Sequence, residues 1–502
     1  MNKEIIKKYG VFLLMIALVI INAIREPGQI FAHGFAAVYL FIIAFRFSKD
    51  NRDFTYYSVI LLSLMGSFLV IQLPRGYSAY FAYVAILIYL IIVAKEFILN
   101  LKNITRVHKN KFYLFLVIFL VYFFCSSVYA IFFNRTEYTL SMMVAYLYSF
   151  ALFFCIVYEN SKKERRNSTF KLLYTIFIGI LLAGTLQMLG FRLGLADKYT
   201  ALGIDFDLYK HFKHTPEVFF FNPNNYAVYL VLNMVYITAD RFYNFLGISK
   251  KWFLPVFILT QVQIIFTASR INWIMWVGLL VTYLVASIIE RRKRETFAGF
   301  RILALSMSVF LLLAFTPFVS GYYGKIKSIK AVKLVYVWLY GNKTLEQELM
   351  YQNQLPKIGE GGSENQRYTL IYNVVKGVFY DKNYLGFGPG NTFDYIKQQG
   401  NTYGEVNVHS HWFEVLGDFG VLIFSYYLYF YAALLCLLYK AVRKGTSDEG
   451  YPYYKSLFIT AFLLIGLVFS PSSVLGFGPF WIFFGLCVVT AAKYNNRKVS
   501  GN

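Results

Sequence analysis

Apolar runs of about 17–25 residues recur down the whole chain, each closed by a short polar turn. They predict spans at roughly 9–24, 30–46, 54–73, 77–94, 112–133, 139–158, 171–190, 223–239, 252–268, 272–289, 302–319, 419–439, 456–471 and 476–492. The runs are continuously apolar rather than alternating, which excludes spanning strands. In lipid a helix is the simplest segment that satisfies its own backbone. The pattern therefore predicts an all-α polytopic membrane protein of about 12–14 transmembrane helices.

One interval breaks the rhythm. Between Gly321 and Ser410 the chain leaves the apolar pattern for 90 residues and carries Arg367, Asp381, Glu405 and His409. It divides the chain into three parts: residues 1–320 with eleven spans, the loop at 321–410, and the C-terminal spans at 411–502. A shorter polar interval runs from Leu189 to Phe221 and includes Lys210-His211-Phe212-Lys213-His214. Inside the long loop, Lys325, Lys327, Lys330 and Lys333 interleave with Ile326, Ile329, Val332 and Val335, the spacing of an amphipathic helix lying on a membrane surface.

Composition agrees, with 58% apolar residues among 502. The net charge of +23 would suit nucleic acid, but the placement of the cations argues against it. Alternate turns hold 31 of the 49 Lys and Arg, and ten more lie in the long loop, whose charge counts little toward orientation. By the positive-inside rule both termini are cytoplasmic and the long loop faces outward. Some of the charge can also serve anionic lipid head groups. Cys125, Cys155, Cys436 and Cys487 all fall in predicted spans, so neither a disulfide framework nor a thiolate metal site is expected. The first span lacks a small-residue cleavage site and reads as an uncleaved helix.

Three segments could carry chemistry. Thr267-Ala268-Ser269-Arg270-Ile271-Asn272 is a very short turn between two spans. An arginine there either snorkels to the interface or serves as an outward anion ligand, its guanidinium matching phosphate oxygens in a fork. The second segment is Glu364 to Tyr372, where apolar and aromatic residues at 368, 371, 372, 375 and 379 predict a helix with Arg367 in its first turn. The stretch Asp381 to Gly390 that follows predicts a tight turn whose backbone N–H groups are open to an anion, although it lacks the Lys-Ser/Thr ending of a nucleotide loop. The third segment is Val408 to Gly420, with His409, His411 and Glu414. Histidine titrates near neutrality and can accept a hydroxyl proton, although one His at a helix start is more often structural. No Cys and no His-Glu-His spacing accompanies the pair, so no metal is expected.

In this order the segments resemble the O-antigen ligase and Wzy-type polysaccharide polymerase superfamily, which includes teichuronic acid-type polymerases. The matching pieces are Asn222-Pro223-Asn224, Ser269-Arg270, Arg367, Leu385-Gly386-Phe387-Gly388, and His409 followed eleven residues later by Gly420. Together they cover about residues 220–440. The resemblance implies a GT-C-like fold and a glycosyltransferase without cofactor or metal. Its donor would be an undecaprenyl-diphosphate-linked oligosaccharide, used on the outer face of a bacterial cytoplasmic membrane. It further implies that Arg270 and Arg367 hold the diphosphate and that His409 is the general base, with His411, Ser269 and Glu414 in support. Ser410 stands where the family often has Asn, and His411 adds a second imidazole; the spacing to Gly420 favours His409 as the base. Membrane lipids, a flippase and a chain-length regulator are the implied partners. A polymerase is the first reading, transfer of polymer to another acceptor the second. A lipid-linked oligosaccharide flippase and a non-catalytic glycan sensor are rivals from other classes.

Overall fold

The structure is a computed structural model that describes residues 3–72, 78–104, 111–161, 163–195, 213–315, 357–361, 363–444, 450–471 and 473–499. Among them, fourteen helices stand where the fourteen spans are predicted. They are α1 (Lys3–Arg25), α2 (Ile30–Ile42, continued by a π turn), α3 (Asn51–Met65), α4 (Phe81–Ile104), α5 (Lys111–Phe133), α6 (Thr139–Asn160) and α7 (Lys163–Met188). Then come α8 (Pro223–Tyr243), α9 (Lys250–Phe266), α10 (Arg270–Ile289) and α11 (Lys293–Phe315). Two loop helices follow, α12 (Ser363–Val375) and α13 (Asn391–Gln399), before α14 (His411–Lys444), α15 (Tyr451–Leu467) and α16 (Gly478–Val499). Seven of the described helical segments are long and apolar enough to cross a membrane on length and composition. The chain is an all-α polytopic membrane protein. The surface-helix expectation at 325–335 and the His211 stretch up to residue 212 lie outside the described residues.

One predicted span is cut short. α3 ends at Met65 because Gly66 follows in the left-handed region, with φ 57°, and the apolar residues after it leave the helix. They form a small antiparallel ladder, β1 (Val70–Gln72) on β2 (Ser78–Tyr80), with Ile71 opposite Ala79. Continuous apolarity does not separate a helix from a short buried strand, which is why the run at 54–73 reads as one span in sequence.

The helices pack into a single large apolar core that includes Tyr56, Leu152, Ile180, Tyr229, Leu434 and Ile482, all fully buried. By contrast, α5 and α11 keep many Ile, Leu, Val and Phe exposed, among them Val121, Phe124, Phe132, Leu311 and Leu312. Apolar faces of that extent on a monomer belong against lipid.

At one end of the bundle the helix termini are tied by two buried charge networks. Glu159 at the end of α6 is fully buried and meets Arg52 Nε at 2.7 Å and Arg165 Nε at 3.4 Å, while Tyr89 donates its hydroxyl to it. Arg165 also reaches Asp53. On the far side of the same end, buried Lys455 meets Glu290 at 2.9 Å, and Arg292 bridges Glu290 and Glu295. Buried ions need such pairing, because each alone would cost several kcal/mol, of the order of 3–5 kcal/mol when one partner is removed.

The opposite end is organised by a break in α14. Gly420 has φ 73° and ψ −174°, so Val421 N–H cannot reach the carbonyl of Gly417. The loop from Tyr384 to Gly388 takes both orphans: Val421 N–H donates to Tyr384 O at 2.8 Å, and Phe387 N–H donates to Gly417 O at 2.8 Å. Gly388 N–H adds a bond to Asp418 O at 3.0 Å. The two backbones touch, because a Cβ on Gly386 would lie 2.5 Å from Gly420 N and one on Gly420 would lie 2.2 Å from Tyr384 O. The glycine turn expected to offer free N–H groups to an anion therefore spends those of Phe387 and Gly388 on α14; its sequence shows the turn but not its partner.

The Asp418 carboxylate extends the join. It accepts from Thr392 Oγ1 at 2.6 Å, from Tyr146 OH at 2.8 Å and from Gly390 N–H at 3.4 Å. Asn391 fastens α13 to the α5–α6 turn, with Thr136 and Thr139 donating to its Oδ1 and its Nδ2 donating to Asn134 O. Lys397 meets Glu137 at 2.6 Å, and that hydrogen bond holds the Glu137 carboxyl below its usual range. Both groups are exposed, so the pair adds little stability.

Gly386→Ala is expected to destabilise the protein by at least about 1–3 kcal/mol, since it combines a positive φ with a backbone clash. Gly28→Ala, where a Cβ meets nothing within 4 Å, should be neutral. Thermal unfolding of the two variants in detergent measures the difference; equal midpoints would mean the splice is not tight.

Candidate functional site

From the splice the loop descends through Tyr403 and Glu405 to Val408, whose side chain is fully buried against Leu370 and Val374 of α12 and Leu416 of α14. Val408 anchors the turn, and His409 follows in the left-handed region with φ 55°. A non-glycine residue held there costs about 1–3 kcal/mol and persists only where the surroundings fix it. Glu405 accepts from Asn407 N–H at 3.0 Å, and its second oxygen lies 4.0 Å from His409 Nε2. Imidazole and carboxylate thus form a dyad within a short non-helical turn.

Both line a cavity of about 600 Å³ at the loop end of the bundle. The cavity draws residues from distant parts of the chain: Tyr80 and Tyr83, Tyr148, Asn222 and Asn225, and Ser473 to Pro479. Its wall carries further backbone strain at Phe221, φ 56°, and Val218, φ 46°, sits just before the lining residues Phe219 and Phe220 ahead of α8. Gln187 of α7 holds that turn by accepting from Glu217 N–H at 2.9 Å and Val218 N–H at 2.8 Å. A β-branched residue at positive φ is uncommon, and strain of this kind gathers at functional sites. Asn222 caps α8 by accepting from Asn224 N–H, with Pro223 at the first helical position.

The other sequence candidates are placed differently. His411 is buried, with Nε2 3.1 Å from Tyr427 OH and rings of Phe480, Trp481 and Trp412 around it. Glu414 is buried beside it, 3.9 Å from His411 Nδ1. Neither belongs to the wall of the His409 cavity. Spacing to Gly420 separates the two imidazoles in sequence, and burial separates them in the structure.

Arg270 is exposed at the first turn of α10, after Ala268 at φ 53°. It lines a second cavity of about 640 Å³ between α9, α10 and α11, walled mainly by Ile264, Ile265, Trp273, Val277 and Phe310. Several polar atoms of that wall are spent within it, since Trp273 donates to Ile264 O, Trp276 to Ser306 Oγ and Gln261 to Ser306 O, while Gln261 Oε1 is buried without a hydrogen-bond partner among the described residues. What remains is an apolar groove with a guanidinium at one end. Ser269 is buried, and Asn272 Nδ2 donates to its Oγ at 2.7 Å and to Ser470 Oγ at 2.6 Å, with Asn224 O at 3.4 Å. This node joins the Arg270 turn to the strained α8 turn and to the segment that enters the His409 cavity.

Arg367 is the fifth residue of α12 and partly buried. It belongs to the wall of neither cavity among the described residues. It shares the helix face of Leu370 and Val374, so it stands one turn from the cluster that seats Val408. The structure thus places Arg270 and the His409–Glu405 dyad on two cavities linked by one hydrogen-bonded node, with Arg367 above the dyad's anchor. Glu405 appears in the sequence only as one more loop acid; its partner four residues on lies in an irregular turn, where no periodicity points to a pair.

Residues 255–428 match the O-antigen ligase family (Wzy_C). Over 488 residues, 96% of this chain and 93% of the relative, the sequence is 23% identical to the teichuronic acid biosynthesis protein TuaE of Bacillus subtilis (strain 168). Both likenesses support the O-antigen ligase and Wzy-type superfamily. The family match takes in both arginines and the dyad, but leaves outside it Tyr80, Tyr83, Tyr148, Asn222 and Ser473, the other side of the His409 cavity.

Diethyl pyrocarbonate should carbethoxylate His409 well ahead of His411 in the purified protein, as their side-chain exposures of 15% and 6% imply. Peptide mass spectrometry reads the order, and faster modification of His411 would contradict this geometry.

Proposed function

We propose that the protein is a polysaccharide polymerase that transfers a glycan from a polyprenyl-diphosphate carrier to the hydroxyl of the next lipid-linked unit. The observation that carries this reading is the His409–Glu405 dyad, fixed by a strained turn on the edge of a cavity large enough for sugars. In the proposed step the acceptor oxygen attacks the anomeric carbon while the bond from that carbon to the diphosphate oxygen breaks. His409 accepts the acceptor proton, and Glu405 steadies the imidazolium that forms. The departing diphosphate gathers negative charge, for which Arg270 and Arg367 are the cations at hand. The apolar groove beneath Arg270 suits the isoprenoid tail, so head and tail of the donor would meet where guanidinium and hydrocarbon wall meet. These groups account for the chemistry without metal or nucleotide sugar.

The family and the similar TuaE support polymerase or ligase chemistry on a cell-surface polysaccharide. The cation pattern of the turns supports an outward-facing site on the cytoplasmic membrane. A flippase and a chain-length regulator would then act beside it.

The test is a carrier-release assay with purified protein and polyprenyl-diphosphate-linked repeat units, products being resolved as a ladder. His409→Ala should lower the rate by about 10²–10⁴-fold, the usual reach of general-base catalysis, with the protein still inserted. Glu405→Gln should cost less, about tenfold, since it acts through the imidazole. Arg270→Ala and Arg367→Ala should abolish the ladder. Normal polymer from any one variant removes that residue from the site. Transfer of one block to a different acceptor indicates a ligase, and carrier translocation without transfer indicates a flippase.

A further inference from the structure

Three tyrosines from three elements stand in a row on the wall of the His409 cavity: Tyr80 of β2, Tyr83 of α4 and Tyr148 of α6. The ring centroids are 5.1 Å apart between Tyr80 and Tyr83 and 4.9 Å apart between Tyr83 and Tyr148. Tyr80 and Tyr83 are partly exposed, whereas Tyr148 is buried behind them at 8% exposure. Asn222 and Asn225 bring side-chain amides to the same cavity. The α3–α4 hairpin is what sets Tyr80 there, because its short ladder turns the chain back at the cavity rim.

We propose that this tyrosine row is the binding subsite for the sugar chain itself, an oligosaccharide of two or more pyranose rings running from the dyad along α4. The inference rests on the transfer reading above and specifies what holds the glycan. A pyranose has an apolar C–H face and a rim of hydroxyls, and an aromatic wall with amides beside it meets both needs. The two partly exposed rings, 5.1 Å apart, offer a face about one sugar wide, and the cavity of about 600 Å³ beside them has room for further sugars of the chain. It lies wholly outside the segment matched to the family, at 255–428, which contains the dyad and both arginines. Glycan recognition and transfer chemistry therefore reside in different stretches of the sequence.

The experiment uses the full chain in nanodiscs and oligosaccharides of four to twelve sugars, on the order of one to a few repeats, cut from the host's own surface polysaccharide. Covering one ring face with a sugar buries an area whose loss weakens binding about five- to tenfold. Tyr83→Ala should show that loss and Tyr83→Phe should restore binding. Tyr80→Ala, on the hairpin, should move the same way and serves if Tyr83→Ala does not fold. Gly28→Ala, which lies on the wall of neither cavity, should bind as the wild type does. Binding undiminished in the Tyr→Ala variants overturns the subsite, as does absence of binding to the wild-type protein. If Tyr83→Ala instead lowers retained phospholipid and leaves oligosaccharide binding unchanged, the wall is a lipid site and the proposal falls. Normal transfer by His409→Ala alongside a Tyr83 effect would overturn the catalytic reading and leave the subsite standing.

Discussion

A helix cannot break inside a bundle unless something takes over the hydrogen bonds it abandons. At Gly420 the carbonyl of Gly417 and the N–H of Val421 lose each other, and the loop at Tyr384 to Gly388 takes both. An unsatisfied backbone group costs about 1–3 kcal/mol in a protein core and more in hydrocarbon. The loop is therefore held to the membrane bundle by backbone hydrogen bonds, whose close approach requires glycine at 386 and 420. The Asp418 carboxylate, the Asn391 clamp and the packing of Val408 under α12 all follow from where that join sits. His409 lies at the end of this chain of constraints, and its strained backbone is tolerable because both flanks are fixed.

The two ends of the bundle use polarity differently. One end buries charges that neutralise each other around Glu159 and Lys455. The loop end gathers backbone amides, hydroxyls and side-chain amides around an open cavity, with the Glu405 carboxylate beside His409 on its wall. The Asn272–Ser470–Asn224 node belongs to this second style, joining two cavities without a formal charge. For the transfer proposed above, a site gains from keeping its fixed cations at one edge, so that they stabilise the departing diphosphate without gripping the acceptor.

Much of this was legible in the sequence. Fourteen apolar runs found fourteen helices because length and hydropathy dominate in lipid. The run at 54–73 misled because its tail is as apolar as a helix yet folds as the hairpin that carries Tyr80 to the cavity. Arg270 and His409 could be named from motif order, and the helix holding Arg367 from its periodicity. Glu405 could not, since its relation to His409 depends on a left-handed turn. The glycine turn was visible as a turn, but its partners lie some thirty residues away at Gly417 and Asp418, and long-range backbone pairing leaves no local trace.

The splice has a consequence for how the protein is made. The strand of loop that completes α14 is synthesised before α14 itself, and on the outward placement proposed above the half that waits is already across the membrane. When the broken helix arrives, its missing hydrogen-bond partners stand ready on the side its N-terminal end must occupy. Until then Gly420 is a weak point with exposed backbone, and a helix inserted in the wrong orientation would find nothing there to mend it. Pairing of the loop with α14 and completion of the turn that carries His409 therefore belong to one structural event.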